Sequence, residues 1–317
     1  MFGPRLVPDD TTIPFMNGRI AGLVVSAVLS IGSLILAFYP GLNLGIDFRG
    51  GVAIEAHMKD AVDFTKLRPA LEGLHLGPVE LQEFGSPYDV EIRLQRQPGG
   101  DSAQQEAVSK VRAILERNFP DTTLQSVAAV GATVSGELFQ NGLMALGVAM
   151  LAMLGYIWFR FEWQFGVAAT ATLVLDVTKI VGVYGLTRFE FNVTSIVAIL
   201  TIMGYSINDK VVVYDRVREN LRKYRSMPLK ELIDLSINET LSRTIGTSSS
   251  VFLAALPLVF IGGEALRPFG WVMLWGVALS TISSIMIAAP LLLLLGEKKL
   301  RRNATTLAGR AEPAAAE

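Results

Sequence analysis

The sequence contains no cysteine and only two histidines in 317 residues. Without thiols, neither a disulfide framework nor a thiolate metal centre is possible. His57 and His75 have no acidic partner at a spacing suited to chemistry, so an imidazole metal site is not expected either. Charge is also scarce. Charged residues make up 18% of the chain and nearly cancel to a net −1, which gives no overall field for nucleic acid. The paired Gly50-Gly51 lies outside any GxxxxGK[ST] phosphate loop, so the pair is read as backbone freedom at a bend or close sheet packing. No cofactor is expected.

Apolar sequence is abundant instead. Hydrophobic residues reach 51% and the mean hydropathy is +0.43, too apolar for an ordinary soluble enzyme of this length. Runs at 20–38, 138–159, 165–186, 193–214, 245–261 and 269–295 are long enough to cross about 30 Å of hydrocarbon. The fifth is interrupted by Pro257, which a membrane helix tolerates as a kink. The chain is therefore predicted to be a polytopic α-helical membrane protein. No small-residue cleavage pattern follows the first run, where Tyr39-Pro40-Gly41 stands, so that run is read as a retained anchor.

Basic residues cluster after the fourth run (Arg216, Arg218, Arg222, Lys223, Arg225, Lys230) and after the sixth (Lys298, Lys299, Arg301, Arg302). The positive-inside rule then places both termini in the cytoplasm. The implied plan is a cytoplasmic N-terminus at 1–19 and a first helix at 20–38, followed by an exported domain at 39–137. Helices two to six occupy 138–295, with a basic cytoplasmic loop at 215–244, and a disordered tail fills 296–317.

In the exported segment, 44–58 reads as a strand-like stretch broken by glycines, with Asp47 and Arg49 flanking Phe48 as a polar pair on one strand face. A helix is predicted over 60–71, strands over 79–84 and 88–95, a helix over 102–119 and extended chain over 123–134. The order β-α-β-β-α-β matches a ferredoxin-like α+β unit.

The sequence GYSINDKVVVYDRVREN at 204–220 places Asn208, Asp209 and Lys210 inside the fourth apolar run, with Asp209 well within it. Ionisable groups inside a membrane cost several kcal/mol unless paired, hydrated or functional. A carboxyl group is far cheaper there when neutral, which suits Asp209 to couple protonation to helix packing. Ser206 and Asn208 are nearby hydrogen-bond candidates, and Gly204 permits close helix approach. Static pairing for assembly is the competing reading. Asp176 and Lys179, at i and i+3, share a helix face and read as an internal pair, with a relay role for Asp176 as the alternative. Lys210 is expected to reach cytosolic water by snorkelling. Arg243 is either a flanking charge or a group that dips inward to a carboxylate. Glu264 and Arg267 fall in a tight exported turn and read as structural charges.

Several ordered segments resemble the SecF family of the bacterial accessory protein-export complex. They are GIDFRGG at 45–51, the 204–220 segment, SINETLSRTIGTSS at 236–249, GGEALRPF at 262–269 and IAAPLL at 287–292. The resemblance spans about residues 15–300. It implies six transmembrane helices with a ferredoxin-like exported domain between helices one and two, in the bacterial inner membrane. It also implies pairing with SecD and work with the SecYEG channel on exported polypeptides, with YajC and the insertase YidC as further partners. The implied activity is use of the proton gradient to promote late stages of export, with no covalent chemistry. By the same resemblance, Asp209 and Arg243 are the proton-coupling residues and face a carboxylate supplied by SecD. From the sequence itself, rather than from the resemblance, Asp176, Lys179, Ser206, Asn208 and Lys210 are the candidates for a supporting polar network. This chain has Lys210 where the family usually has threonine or serine, and Leu175 where many members have histidine. Two other functions compete: a half-transporter for lipid or drug, and a non-pumping scaffold. An intramembrane hydrolase is disfavoured, because Asp176 and Asp209 stand in no protease motif.

Overall fold

The computed structural model describes residues 8, 11–77 and 79–295. The expected tail at 296–317 lies outside the described residues, as do most of the first ten residues and the side chain of Glu264. Six helical segments are long and apolar enough to cross a membrane: Phe15–Gly41, Thr133–Arg160, Trp163–Thr187, Val193–Lys223, Leu229–Phe260 and Leu266–Leu294.

The chain begins with helix α1 (Arg19–Leu36), a wider turn at Ala37–Gly41 and the short helix α2 (Ile46–Arg49). Strand β1 (Gly51–His57), helix α3 (Phe64–Glu72), strands β2 (Val79–Phe84) and β3 (Ser86–Leu94), helix α4 (Asp101–Asn118) and strand β4 (Thr123–Val130) follow. They build one antiparallel sheet in the order β2-β3-β1-β4. That order, with both helices as crossovers, is the ferredoxin-like arrangement expected from the sequence. Val52, Ile54, Val90, Ile92, Leu67, Leu71, Val111 and Leu115 form its core, the strand residues at period two and the helix residues at helical spacing.

Two local expectations are corrected. The stretch before β1 is not a strand: Ile46–Arg49 make a helical turn, so Asp47 and Arg49 do not share a strand face. The turn can enter the sheet because Gly50 and Gly51 both take positive φ, at 71° and 134°. A Cβ at Gly51 would also meet the Leu94 carbonyl oxygen. Helix α3 begins at Phe64, later than expected. Asp63 is its cap, accepting from the Thr65 amide at 3.0 Å.

The membrane part contains α5 (Ala132–Arg160), α6 (Trp163–Thr187), α7 (Val193–Lys223), α8 (Leu229–Phe260), α9 (Gly263–Ser283) and α10 (Ala289–Leu294). A π-type turn at Ser284–Ala288 joins the last two. Helix α8 runs through Pro257 without a break. The basic segment 215–244 is helical on both sides of a short turn at 224–228. Helices α6, α7 and α9 are half-buried in the chain, whereas α1, α5 and α8 expose most of their apolar surface. Close packing rests on small residues: a Cβ at Gly276 would meet Ile202, and one at Gly182 would meet Ser33.

The ferredoxin-like unit is tied to the α6–α7 connection. The Gly45 amide donates to the Phe191 carbonyl at 3.0 Å, and the Phe191 amide to the Asn43 carbonyl at 2.7 Å. Asp47 accepts from the Val193 amide at 3.1 Å, at the first turn of α7. Phe48 packs between Phe139 and Phe191.

Candidate functional site

Long apolar helices bury four ionisable groups inside the membrane part. Asp176 and Lys179 lie on α6, Asp209 and Lys210 on α7, and none is more than 4% exposed. Asp176 is the centre. Its Oδ2 accepts from Lys210 Nζ at 2.8 Å and from Ser206 Oγ at 2.8 Å. Its Oδ1 lies 3.4 Å from Lys179 Nζ. Lys210 also bonds the Ser206 hydroxyl and, at 3.3 Å, the Ser206 carbonyl. A buried ion pair is tolerable only when its remaining donors and acceptors find partners, and Ser206 supplies them here.

The expectation for Lys210 is corrected. It does not snorkel: it is 0% exposed, because its stem runs inward along α7 and its ammonium ends on Asp176. Its sequence neighbour Asp209 points elsewhere, as consecutive helical residues do. Asp209 is 1% exposed and its Oδ2 has no hydrogen-bond partner among the described residues. Ser206 is engaged by Asp176 rather than by Asp209. Asn208 is on the outer face of α7, in an exposed stripe with Thr201 and Gly204. Arg243 is exposed on α8 and forms no ion pair among the described residues. The fold therefore brings Asp176, Lys179, Ser206 and Lys210 together, while Arg243 and Asp209 are in no ion pair among the described residues.

Hydroxyl contacts extend around this cluster. Tyr205 and Ser248 are 2.6 Å apart, and Ser248 and Thr281 are 2.7 Å apart, linking α7, α8 and α9. Tyr214, fully buried against Phe161 and Phe165, donates to the Ala288 carbonyl at 3.3 Å, within the π-type turn. Such turns leave carbonyls short of their helical partners and often mark functional positions. Sequence reasoning missed this contact and also a serine face on α1, formed by the buried Ser26, Ser30 and Ser33. Their spacing of four and three residues was the available signal.

A second charged cluster lies where the ferredoxin-like unit meets the α6–α7 connection. Arg93 on β3 pairs with Glu91 at 2.8 Å and with Glu190. Burial pushes the Glu190 carboxyl above its usual range; Arg93 counters this in part, and Glu91 and Asp47 add to it. Burial raises Glu55 as well, helped by Glu91 directly opposite across the strands. A Cβ at Gly45 would collide with the Glu190 carboxylate, so glycine there lets the chain pass.

The arrangement sets a buried carboxyl group with one oxygen unpartnered among the described residues beside a buried lysine–aspartate network. Among the described residues no group of three or more His, Asp or Glu side chains forms a metal site.

Comparison with known proteins agrees with this architecture. The family model described as protein export membrane protein SecD/SecF, C-terminal, matches residues 110–298, and the SecD/SecF GG motif matches residues 38–62. The protein translocase subunit SecF of Rhodobacter capsulatus is 41% identical over 307 residues, covering 93% of this chain and 92% of the relative. The subunit of the same name from Rickettsia felis is 42% identical, covering 94% of this chain and 96% of the relative. Among solved structures, SecDF, a translocon-associated membrane protein from Thermus thermophilus, superposes with a TM-score of 0.83 at 32% identity. That match covers 93% of this chain but only 40% of the larger SecDF chain. SecDF in its super-membrane-facing form gives a TM-score of 0.65, also at 32% identity, and the match covers 97% of this chain and 41% of that one.

Proposed function

The chain belongs to the SecD/SecF family of protein-export membrane proteins, on its SecF side, and from that premise we propose that it is a proton-coupled accessory subunit of the Sec translocase. In this reading it pairs with SecD in the bacterial inner membrane, with both termini cytoplasmic and the ferredoxin-like unit outside. Together the two promote late stages of polypeptide export through SecYEG, with YajC and YidC as neighbours and without covalent chemistry. The basic residues at the end of α7 and just beyond it support that orientation.

The observation that carries the reading is Asp209. A carboxylate that is 1% exposed, with one oxygen lacking any partner among the described residues, is costly when ionised and cheap when protonated. Its charge state therefore sets how tightly α7 can pack. Arg243, exposed and without a carboxylate of its own, is suited to meet a carboxylate of a second membrane half. That half is SecD in this proposal, and the exposed stripe of Thr201, Gly204 and Asn208 provides a close-approach face for it.

The test is late-stage export in vesicles holding SecYEG, SecD and this chain. ATP and membrane potential are held constant while the proton gradient varies. Asp209→Asn should abolish gradient-stimulated completion while leaving assembly with SecD intact. Equal stimulation in wild type and variant would place the switch elsewhere, and no stimulation even in wild type would favour a scaffold.

A further inference from the structure

The end of α5 and the last turns of α7 meet at an open groove whose wall is entirely charged. It encloses about 580 Å³ and is lined by Arg160, Asp215, Arg218, Glu219, Arg222 and Lys223. Asp215, Arg218 and Arg222 follow one another at spacings of three and four, so α7 presents them on one side. Both acids in the wall are already engaged. Arg160 holds Asp215 at 3.0 Å, and Arg216 holds Glu219 at 2.7 Å. Arg218, Arg222 and Lys223 are left in no ion pair among the described residues. Arg218 is half-buried, and its Nε has neither solvent nor an acceptor. Three cations therefore line one groove, and neither acid beside them is free.

The groove stands where apolar helix ends. One membrane-length segment stops at Arg160 and the next begins at Trp163. Tyr156, Trp158 and Phe159 just before Arg160, and Trp163 just after it, are all exposed, Phe159 by 93%. Exposed tyrosine and tryptophan at the end of an apolar helix mark the boundary between hydrocarbon and water. Trp158 is seated on the first turn of α6, where a Cβ at Gly166 would stand 2.8 Å from its ring. Lys223 lies 5.0 Å over the Tyr224 ring. Free cations beside exposed apolar rings fit a ligand with an anionic head and hydrocarbon chains. A soluble anion would meet the cations and leave the rings without a partner.

We propose that this groove binds the phosphate headgroup of an anionic phospholipid. Arg218 and Arg222 offer planar donor forks that match phosphate oxygens, and Lys223 adds a compact positive charge. Basic grooves between membrane helices at the boundary layer select anionic headgroups in this way. The acyl chains run from the groove along the exposed rings of Trp158 and Phe159. The bound headgroup ties the end of α5 to the last turns of α7, and so holds one end of the helix that carries Asp209. The site is independent of what Asp209 does.

The tryptophans provide the readout. The chain has four, and Trp271→Phe with Trp275→Phe leaves only Trp158 and Trp163, on either side of Arg160. The full chain is reconstituted in phosphatidylcholine vesicles, and fluorescence quenching is followed as brominated phosphatidylglycerol or brominated phosphatidylcholine is added. Phosphatidylglycerol should be preferred at least about tenfold, since each basic residue near an anionic headgroup contributes about fivefold. Arg218→Gln with Arg222→Gln should lower the preference at least about fivefold. Arg222→Gln alone, at an exposed position in no ion pair, should lower it at least about threefold without touching the fold. Lys230→Gln, on α8 outside the groove, should leave it unchanged. No preference in the parent protein, or a preference that survives the arginine substitutions, would overturn the site. An equal loss in Lys230→Gln would reduce it to a diffuse field. Inorganic phosphate, exchanged for chloride at constant ionic strength, should not displace the lipid; displacement would make the groove a soluble-anion site and overturn the lipid assignment.

Discussion

Lys210 of α7 reaches across to Asp176 of α6 and holds its carboxylate at 2.8 Å, while Asp209, the residue beside it, is left with an unpaired oxygen. One turn of helix thus carries both a fixed ion pair and a free carboxyl group. Removing the charge of Asp176 and removing that of Asp209 should consequently have different effects.

Asp176→Asn removes the counter-charge of two buried lysines. Breaking a buried pair from one side costs about 3–5 kcal/mol, so the variant should unfold far more readily in a thermal or denaturant titration in detergent. Adding Lys210→Met should recover a large part of the loss, since it removes one of the stranded charges. Unchanged stability of the single variant would show that the pair contributes nothing.

Arg243→Leu should leave the chain's own stability within about 0.5 kcal/mol, because the side chain is exposed and unpaired. Its effect should appear only with SecD present, as loss of gradient-stimulated export. A large drop in the melting temperature of the isolated chain would assign it a structural role instead.

Glu190 gives a pH signature. Its carboxyl is raised above the ordinary value of 4.5, chiefly by burial. A raised acid binds its proton more tightly in the folded state, so its contribution is favourable at low pH. That contribution is lost as pH rises from about 4.5 through the folded value. Comparing wild type with Glu190→Gln, the stability difference should fall across that window and level off above it. A difference that grows with pH would mean that the Arg93 pair outweighs burial.

Gly51→Ala forces a side chain onto a φ of 134° and against the Leu94 carbonyl. The expected cost is about 1–3 kcal/mol, felt in the ferredoxin-like unit. Faster limited proteolysis between β1 and β4, with the membrane helices intact, is the readout.

Much of the fold was legible because it depends on composition and period. Membrane runs announce themselves by length, and the sheet order followed from alternation broken by turns and two amphipathic helices. The site was less legible because it depends on helix rotation. Sequence spacing showed that Asp176 and Lys179 share a face. It gave no sign that Lys210 faces α6 while Asn208 faces outward, because rotation is set by packing such as Ile202 against Gly276. The Asp47–Arg49 reading failed for a similar reason. Two positive-φ glycines allow a helical turn immediately before a strand, and alternation alone cannot distinguish that turn from the strand itself.

The bond from the Val193 amide to Asp47 has a mechanical consequence. Asp209 lies sixteen residues along the same unbroken helix, about 24 Å from that amide at 1.5 Å per residue. A straight helix transmits twist along its length. A rotation of α7 at Asp209 would therefore carry with it the amide that Asp47 holds, beneath Gly45–Gly51. The helix is thus one lever between the buried Asp209 and the ferredoxin-like unit.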